Sequence, residues 1–294
     1  MHQKAVADNK AWAILIFLSL VWGCSFILIK KALISFDPVQ VACLRLGISS
    51  LAFTPLVIQY RKEIPWDQWA KFLAIGLTGS GIPAFLFSFA QTQLSSSVAG
   101  LLNSLTPIWT LVLGVLIFRL KFTKIQLAGV IIGFLGASAL ILLGNKSVLG
   151  GNPMYGLLII LATICYASSV NMVQAFFTGT KPIIISSMSF FLIGPPAWLY
   201  LLFSDFTEVI SSDPTTLYSL GAVVLLSLFG TVMASILFYY LVQRTSAVFG
   251  STVTYLMPIV ALFWGILDGE VISFLHFVGM ATILTGVYIT KKSK

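Results

Sequence analysis

The sequence carries very little charge, since Asp, Glu, Lys and Arg together make up 9% of its 294 residues. Soluble domains contain roughly 25% of these residues, so the composition excludes a water-soluble globule. Cysteine is also scarce: Cys24, Cys43 and Cys165 are the three in the chain, and none belongs to a CxxC pair. We therefore expect no disulfide framework, no metal site and no resident cofactor.

Motifs of hydrolytic enzymes and of nucleic-acid-binding proteins are missing. The sequence contains no HExxH or GxSxG pattern, and its histidines, His2 and His276, lie far apart in the chain. An enzyme is therefore not expected. The net charge is +8, but the basic residues are spread over short segments and form no continuous patch. This distribution argues against binding to nucleic acid.

Apolar residues dominate instead, at 58% of the chain by the AVILMFWYC count. A membrane-spanning helix needs about 20 such residues, so the chain predicts an all-α integral membrane protein with about ten spans in the lipid bilayer. The apolar runs occupy residues 11–32, 38–60, 67–90, 97–118, 124–143, 153–176, 182–203, 214–240, 247–267 and 273–291.

The basic residues predict the orientation, because cytoplasmic loops are enriched in lysine and arginine. With the N-terminus inside, thirteen of the 17 basic residues fall on the cytoplasmic side. They are Lys4, Lys10, Arg61, Lys62, Lys71, Arg119, Lys121, Lys124, Lys181, Arg244, Lys291, Lys292 and Lys294. We therefore expect both termini to be cytoplasmic, with tails at residues 1–10 and 292–294.

The chain also matches itself. A shift of 151 residues aligns residues 79–118 with 230–269 and gives ten identities in forty positions. Matches of glycine and proline carry most weight, because these residues answer backbone requirements. The informative pairs are Gly79 with Gly230, Pro107 with Pro258 and Gly114 with Gly265, and a shift of 144 adds Trp22 with Tyr166 and Ser25 with Ser169.

Each copy contains five predicted helices. Because five is odd, the second copy must cross the membrane in the opposite sense to the first. We therefore predict a first repeat at residues 11–143 and an inverted second repeat at residues 153–291. Inverted repeats are typical of secondary transporters, which bind substrate between the repeats near the membrane midplane.

Several short patterns follow one another in a fixed order along the chain. They are Trp22-Gly23-Cys24-Ser25-Phe26, the Arg45-Leu46 step, the stretch from Ser95 through Pro107 to Gly114, and its copy from Ser246 through Pro258 to Gly265, Glu270 and Gly279. In these residues the sequence resembles the ten-helix EamA-type permeases of the drug/metabolite transporter superfamily. It departs from that pattern at Arg119, where the family shows Gly-Glu-Arg, and at Ser189, the counterpart of Arg45.

The resemblance implies a secondary transporter of the inner membrane that moves small metabolites by alternating access. Export of amino acids or related carboxylate-bearing solutes is the expected activity. Two other interpretations stay open: import or exchange of a nucleoside or sugar-type solute, and a membrane protein that binds a solute without transporting it. Gly129 and Gly133 form a small-xxx-small face that serves packing within a monomer or a homodimer equally well.

Arg45 is the one basic residue well inside a predicted span, roughly 10 Å below the outer edge. A charge at that depth is costly and marks a functional site, so we predict that Arg45 binds a substrate carboxylate. The alternatives are that its side chain reaches the outer interface or pairs with Asp37. Lys30 and Lys31 lie nearer the surface and are expected to be interface anchors.

Pro107 and Pro258 each fall near the middle of a predicted span. Proline removes one N–H and displaces the carbonyl four residues earlier, here those of Asn103 and Thr254. In a bilayer such carbonyls need polar neighbours, water or substrate. We therefore predict that Asn103 and Thr254 line a central cavity and that the prolines kink or gate it. A packing kink is the alternative.

Aromatic and carboxylate side chains complete the candidate site. Trp22 and Tyr166 are predicted to contact substrate near the midplane, together with Tyr255 and Asn171. The alternatives are core packing for the aromatic rings and a hydrogen bond between helices for Asn171. No Asp or Glu lies in the middle of a span, so Glu270, at the outer end of the ninth span, is the nearest candidate for proton coupling; a solvated loop charge is the alternative.

Overall fold

The structure is a computed structural model that describes residues 8–118, 124–143, 151–212 and 215–292. Every regular element within these ranges is helical. In chain order the α-helices are α1 (Asn9–Ala32), α2 (Pro38–Tyr60), α3 (Trp69–Gly76), α4 (Ile82–Ala90), α5 (Ser96–Asn103), α6 (Thr106–Phe118), α7 (Lys124–Leu143), α8 (Gly156–Phe176), α9 (Pro182–Phe203), α10 (Phe206–Ser212), α11 (Thr215–Ser227), α12 (Ala234–Arg244), α13 (Ala247–Ser251), α14 (Met257–Leu267) and α15 (Phe274–Lys292). Two π-helical turns, Leu77–Gly81 and Leu228–Met233, and three 3-10 turns, Trp66–Gln68, Pro153–Tyr155 and Thr252–Tyr255, complete the elements of these ranges.

Within the described ranges, eight helical segments are long and apolar enough to cross a membrane. They are Asn9–Ala32, Pro38–Tyr60, Trp66–Ala90, Ser96–Ile117, Pro153–Phe176, Pro182–Phe203, Thr215–Arg244 and Ala247–Leu267. The other two predicted spans coincide with α7 and α15, whose apolar parts are shorter, at Leu127–Ala139 and Phe274–Ile289. The prediction of an all-α, multi-pass membrane protein is thus confirmed, whereas the number ten stays a prediction.

The orientation of the termini also stays a prediction. Part of the charge count behind it falls on residues outside the described ranges, namely Lys4, Arg119, Lys121 and Lys294.

Several local features recur 151 residues apart, the spacing of the sequence match. The π-helical turns begin at Leu77 and Leu228. The Ser95 hydroxyl accepts a hydrogen bond from the backbone N–H of Val98 and caps α5, and the Ser246 hydroxyl caps α13 in the same way. These matches support the predicted repeat at the level of local backbone structure.

Small residues bring pairs of helices into close contact. On the interface of α2 with α9, Gly47 leaves room for the Trp198 ring, whose Nε1 donates to the Gly47 carbonyl over 3.0 Å. On the interface of α7 with α15, a Cβ added to Gly286 would lie 2.6 Å from the carbonyl oxygen of Gly129. The Gly129-x-x-x-Gly133 face is therefore used by packing within this chain.

A methyl group at Gly286 should separate α7 from α15, because the atoms that it would meet belong to backbone and cannot rotate away. We expect Gly286→Ala to destabilise the protein by about 1–3 kcal/mol, the usual range for overpacking. Gly221→Ala on α11 is the matched control, since nothing lies within 4 Å of an added Cβ there. Melting of the detergent-solubilised protein measures both; equal melting temperatures for the two variants would contradict the close packing of α7 and α15.

Candidate functional site

A cavity of about 110 Å³ lies among residues from both halves of the chain. Its walls come from α1, α2, α4, α5, α6, α8, α12, α13, α14, the two π-helical turns and the 3-10 turn Thr252–Tyr255. The volume is large enough for several waters or a small solute, since one water needs roughly 10–15 Å³ by the same measure. Among the residues that line it, Arg45 alone is charged.

Arg45 reaches the cavity from the second turn of α2. That helix starts at a capping box, in which the Asp37 carboxylate accepts hydrogen bonds from the backbone N–H groups of Val39 and Gln40. The Arg45 Nε donates to the Thr231 Oγ1 over 2.9 Å. Asp37 is thus occupied as a helix cap, and the proposed Arg45–Asp37 pair is not formed. The guanidinium keeps its charge without a neutralising carboxylate from the cavity wall.

Each π-helical turn is contacted by the first helix of the other half of the chain. Trp22 on α1 donates from Nε1 to the Gly230 carbonyl over 2.7 Å. A Cβ added to Gly230 would lie 3.0 Å from the Ser25 Oγ, and one added to Gly79 would lie 2.5 Å from the Ser169 Oγ of α8. Glycine leaves room at both turns for a serine side chain to approach the backbone closely. π-Helical turns are frequent at functional sites.

The helices predicted to be kinked are interrupted. α5 ends at Asn103 and α6 begins at Thr106, so Pro107 lies in the first turn of the second segment; Pro258 occupies the same place in α14. The sequence predicts that polar neighbours, water or substrate satisfy the displaced carbonyls. In the structure, neighbouring hydroxyls donate to them. The Asn103 carbonyl accepts from the Thr106 Oγ1 over 2.8 Å, and the Thr254 carbonyl accepts from the Ser104 Oγ over 3.1 Å.

Five of the predicted site residues line the one cavity: Trp22, Arg45, Asn103, Tyr166 and Thr254. They come from α1, α2, α5, α8 and the 3-10 turn after α13, so residues far apart in sequence converge. Tyr166 also lies close enough to Arg45 to interact with it electrostatically. Their role in binding stays a prediction.

The other predicted residues lie away from the cavity lining. Asn171 donates from Nδ2 to the backbone carbonyls of Thr110 and Ala167, at 3.1 and 2.9 Å, which is the helix-to-helix bond that the sequence left open. Tyr255 packs against the apolar core around α1. Glu270 lies in a separate cluster described below.

Sequence reasoning missed Thr231, Ser235 and Phe238 as cavity residues. A sequence pattern could have pointed to Thr231, because it follows Gly230, whose match with Gly79 marks a shared backbone feature. No such pattern pointed to Ser235 or Phe238, since a serine and a phenylalanine inside an apolar run are equally common in packed interfaces.

The serine and threonine hydroxyls of the cavity all donate to backbone carbonyls. From the first half these are Ser25 to Val21, Ser80 to Gly79 and Thr106 to Asn103. From the second half they are Ser169 to Ile75, Thr231 to Leu226, Ser235 to Val232, Ser251 to Val248 and Thr254 to Ser251. Because a hydroxyl has one proton, these oxygens in the observed arrangement present lone pairs to a ligand.

Comparison with known proteins adds the family. The model of the EamA-like transporter family matches residues 10–142 and again residues 154–291. The chain belongs to this family. The predicted resemblance is confirmed.

Relatives of similar length carry transporter names. An uncharacterized transporter of Archaeoglobus fulgidus is 27% identical over 97% of this chain and 100% of its own. The uncharacterized inner membrane transporter YedA of Escherichia coli is 26% identical over 94% of this chain and 89% of its own. A protein of Escherichia coli named "Probable amino-acid metabolite efflux pump" is 26% identical over 96% of this chain and 95% of its own.

A solved crystal structure shares the fold, with a TM-score of 0.66 and 16% identity over 96% of both chains. Together with the apolar helices, the family and these relatives identify a multi-pass protein of the inner membrane.

Outside the cavity, this EamA-like chain joins α1, α5 and the end of α14 by a cluster of charges. Glu270, with a side chain 4% exposed, accepts hydrogen bonds from the backbone N–H groups of Ser96 and Ser97 at 2.8 and 3.1 Å and from Lys30 Nζ at 2.9 Å. Asp268 pairs with Lys30 at 2.7 Å and also with Lys31. The alternative of a solvated loop charge is therefore wrong for Glu270, because its carboxylate is buried and paired. The expectation that Lys30 and Lys31 anchor the membrane interface stays a prediction.

A left-handed glycine makes this cluster possible. Gly269, with φ of 75°, turns the chain after α14 so that Glu270 points back onto the first turn of α5. Burial acts to raise the pKa of Glu270, but hydrogen bonds from Ser97 and Lys30 outweigh it and hold the pKa below the usual glutamate value. A carboxylate with a depressed pKa stabilises the fold above its ordinary pKa, and that contribution is lost as the pH falls through the lower value.

Acid should therefore loosen the cluster. As the pH falls below about 5 we expect the melting temperature of the wild-type protein to fall, and we expect Glu270→Gln to lower stability at neutral pH and to weaken the decline. The control is Glu63→Gln, whose partner Lys181 forms an exposed pair with it at 2.8 Å. An unchanged pH profile in Glu270→Gln would contradict the assignment.

Thiol labelling tests the cavity lining. In a variant without Cys24, Cys43 and Cys165, a cysteine at Asn103 or Thr254 should react with an anionic methanethiosulfonate at least about tenfold faster than one at Asn171, because reactivity follows exposure and a positive neighbourhood. If both lining positions stay unreactive during turnover, the cavity is not an aqueous site.

Proposed function

We propose that this EamA-like protein is a secondary transporter that exports small carboxylate-bearing metabolites, amino acids among them, by alternating access. The observation that carries the proposal is Arg45, a cationic group that lines an internal cavity without a neutralising acid among the other lining residues. A guanidinium in that setting needs an anion, and its flat fork matches a carboxylate. Export agrees with the name of the Escherichia coli efflux relative.

The proposed architecture is two inverted five-helix repeats, at residues 11–143 and 153–291, with both termini in the cytoplasm. The features that recur 151 residues apart support it: the π-helical turns, the serine caps and the restart of the interrupted helices at Thr106 and Met257. In an inverted pair, the two interruptions approach the cavity from opposite sides of the membrane. Rocking of one repeat against the other would expose the cavity to each side in turn.

In this proposal the charge cluster closes the outer side. Glu270 holds the start of α5 to Lys30 of α1 through hydrogen bonds, so opening outward has to separate these groups. The same bonds keep Glu270 ionised, which makes it a weak candidate for a proton carrier near neutral pH. We therefore propose transport that follows the solute gradient, with Glu270 as a closure residue. The alternative coupling role predicts that Glu270→Gln removes the pH dependence of flux.

Arg45 provides the test of function. Proteoliposomes loaded with a mixture of amino acids and other metabolites should lose a few components selectively and saturably, as measured by mass spectrometry. Arg45→Ala should slow this loss by about tenfold to a hundredfold, since a hydrogen bond to a charged group contributes about 1.5–3 kcal/mol.

The matched control is Arg244→Ala, an exposed arginine that pairs with Asp8 outside the cavity. Selective loss of a nucleoside or sugar that does not need Arg45 would establish the alternative substrate class. Saturable binding without flux would establish a binding protein, and either result would overturn the proposal.

A further inference from the structure

Asn103 lines the cavity and has an unused hydrogen-bond acceptor. The residue is 3% exposed, and its Nδ2 contacts the Met257 sulfur at 3.7 Å. Its Oδ1 is buried and has no hydrogen-bond partner among the described residues. Nearly all buried side-chain oxygens in folded proteins have a donor, so an orphan of this kind at a ligand cavity points to a donor supplied from outside.

The hydroxyls beside Asn103 donate to other acceptors in the structure. The Thr106 hydroxyl gives its proton to the Asn103 carbonyl, and the Ser104 hydroxyl gives its own to the Thr254 carbonyl. The Thr254 hydroxyl donates to the Ser251 carbonyl. The hydroxyls around the interruption between α5 and α6 thus donate to backbone carbonyls. The Asn103 Oδ1 is left without a donor among the described residues.

The surroundings of Asn103 favour a positively charged donor. Asn103 ends α5, and the C-terminal end of a helix carries a partial negative charge. The hydroxyls of the cavity present lone pairs, as described above. The aromatic rings of Trp22, Phe87 and Tyr166 line the same space and offer faces that attract cations. These groups stabilise an ammonium without an acidic residue.

We propose that Asn103 accepts a hydrogen bond from the ammonium group of a substrate whose carboxylate is bound by Arg45, and so rejects carboxylates that lack an amino group. The inference rests on the proposed function, in which Arg45 anchors the carboxylate. Asn103 binds the ammonium end of the ligand and so makes the site selective for carboxylates that carry an amino group.

Matched ligands test the proposal with the full-length protein in detergent, by ligand-dependent shifts in melting temperature. The pairs are L-alanine with propionate, L-leucine with 4-methylpentanoate, L-phenylalanine with 3-phenylpropionate and L-tryptophan with indole-3-propionate. Each pair shares a carboxylate and a side chain and differs in the ammonium. The wild-type protein should bind at least one amino acid about tenfold or more tightly than its partner, the contribution expected of a hydrogen bond to a charged group.

Asn103→Leu should bring that ratio close to one. Asn103→Asp keeps an acceptor and adds a negative charge that attracts an ammonium, so it should raise the ratio. This variant decides the matter if the leucine variant fails to fold. Ser186→Ala is the control, because the Ser186 hydroxyl is also buried without a partner but does not line the cavity; the ratio should not change.

Equal affinities within all pairs of the wild-type protein, with binding that still needs Arg45, would overturn this inference and leave the proposed function standing. A preference that survives in Asn103→Leu, or equal loss of affinity for both members of a pair, would assign Asn103 a structural role. Absence of binding for all eight ligands would count against both proposals.

Discussion

The cavity depends on hydrogen bonds that satisfy an irregular backbone inside an apolar protein. In a bilayer there is no water to complete a broken helix, so each displaced carbonyl must find a donor in the chain. Trp22 supplies one for the Gly230 carbonyl, Ser104 one for the Thr254 carbonyl and Ser19 one for the Val253 carbonyl. Each of these donors belongs to the first half of the chain and each acceptor to the second. The interactions that permit the irregular backbone therefore also hold the two halves around the cavity.

The charged side chains of the cluster and of the cavity differ in how they are neutralised. Among the described residues, Asp268 and Glu270 are paired with Lys30 and Lys31 at one end of the helices. The cavity contains a cation and no lining acid. A paired cluster tolerates burial because its charges compensate each other, whereas Arg45 donates to the neutral Thr231 hydroxyl and no acid is among the described residues that line its cavity. This uneven distribution is the basis for the proposal that the cluster closes the outer side and that Arg45 attracts the ligand.

Much of this arrangement could be predicted from the sequence, for reasons that differ by residue. Apolar runs predict membrane helices because the bilayer imposes length and composition, and the helices are found where the runs lie. Arg45 could be picked out because one charge in an apolar run has few explanations. Glu270 was misjudged, since its burial depends on a turn at Gly269 and on Ser96 and Ser97, which are far away in sequence. Asn171 was ambiguous because an amide serves a ligand and a helix contact equally well.

The two halves share local backbone features, but the side chains at matching positions differ. This difference bears on which ligand the cavity can hold. At the interruption, Asn103 in the first half corresponds to Thr254 in the second, whose hydroxyl proton is already bound to the Ser251 carbonyl. Arg45 corresponds to Ser189, which is buried away from the cavity. A symmetric backbone with symmetric side chains would accept a ligand in two opposite orientations. With a cation and an orphan amide each present once, the cavity fits a ligand with two different ends in a single orientation, as the proposed substrate has.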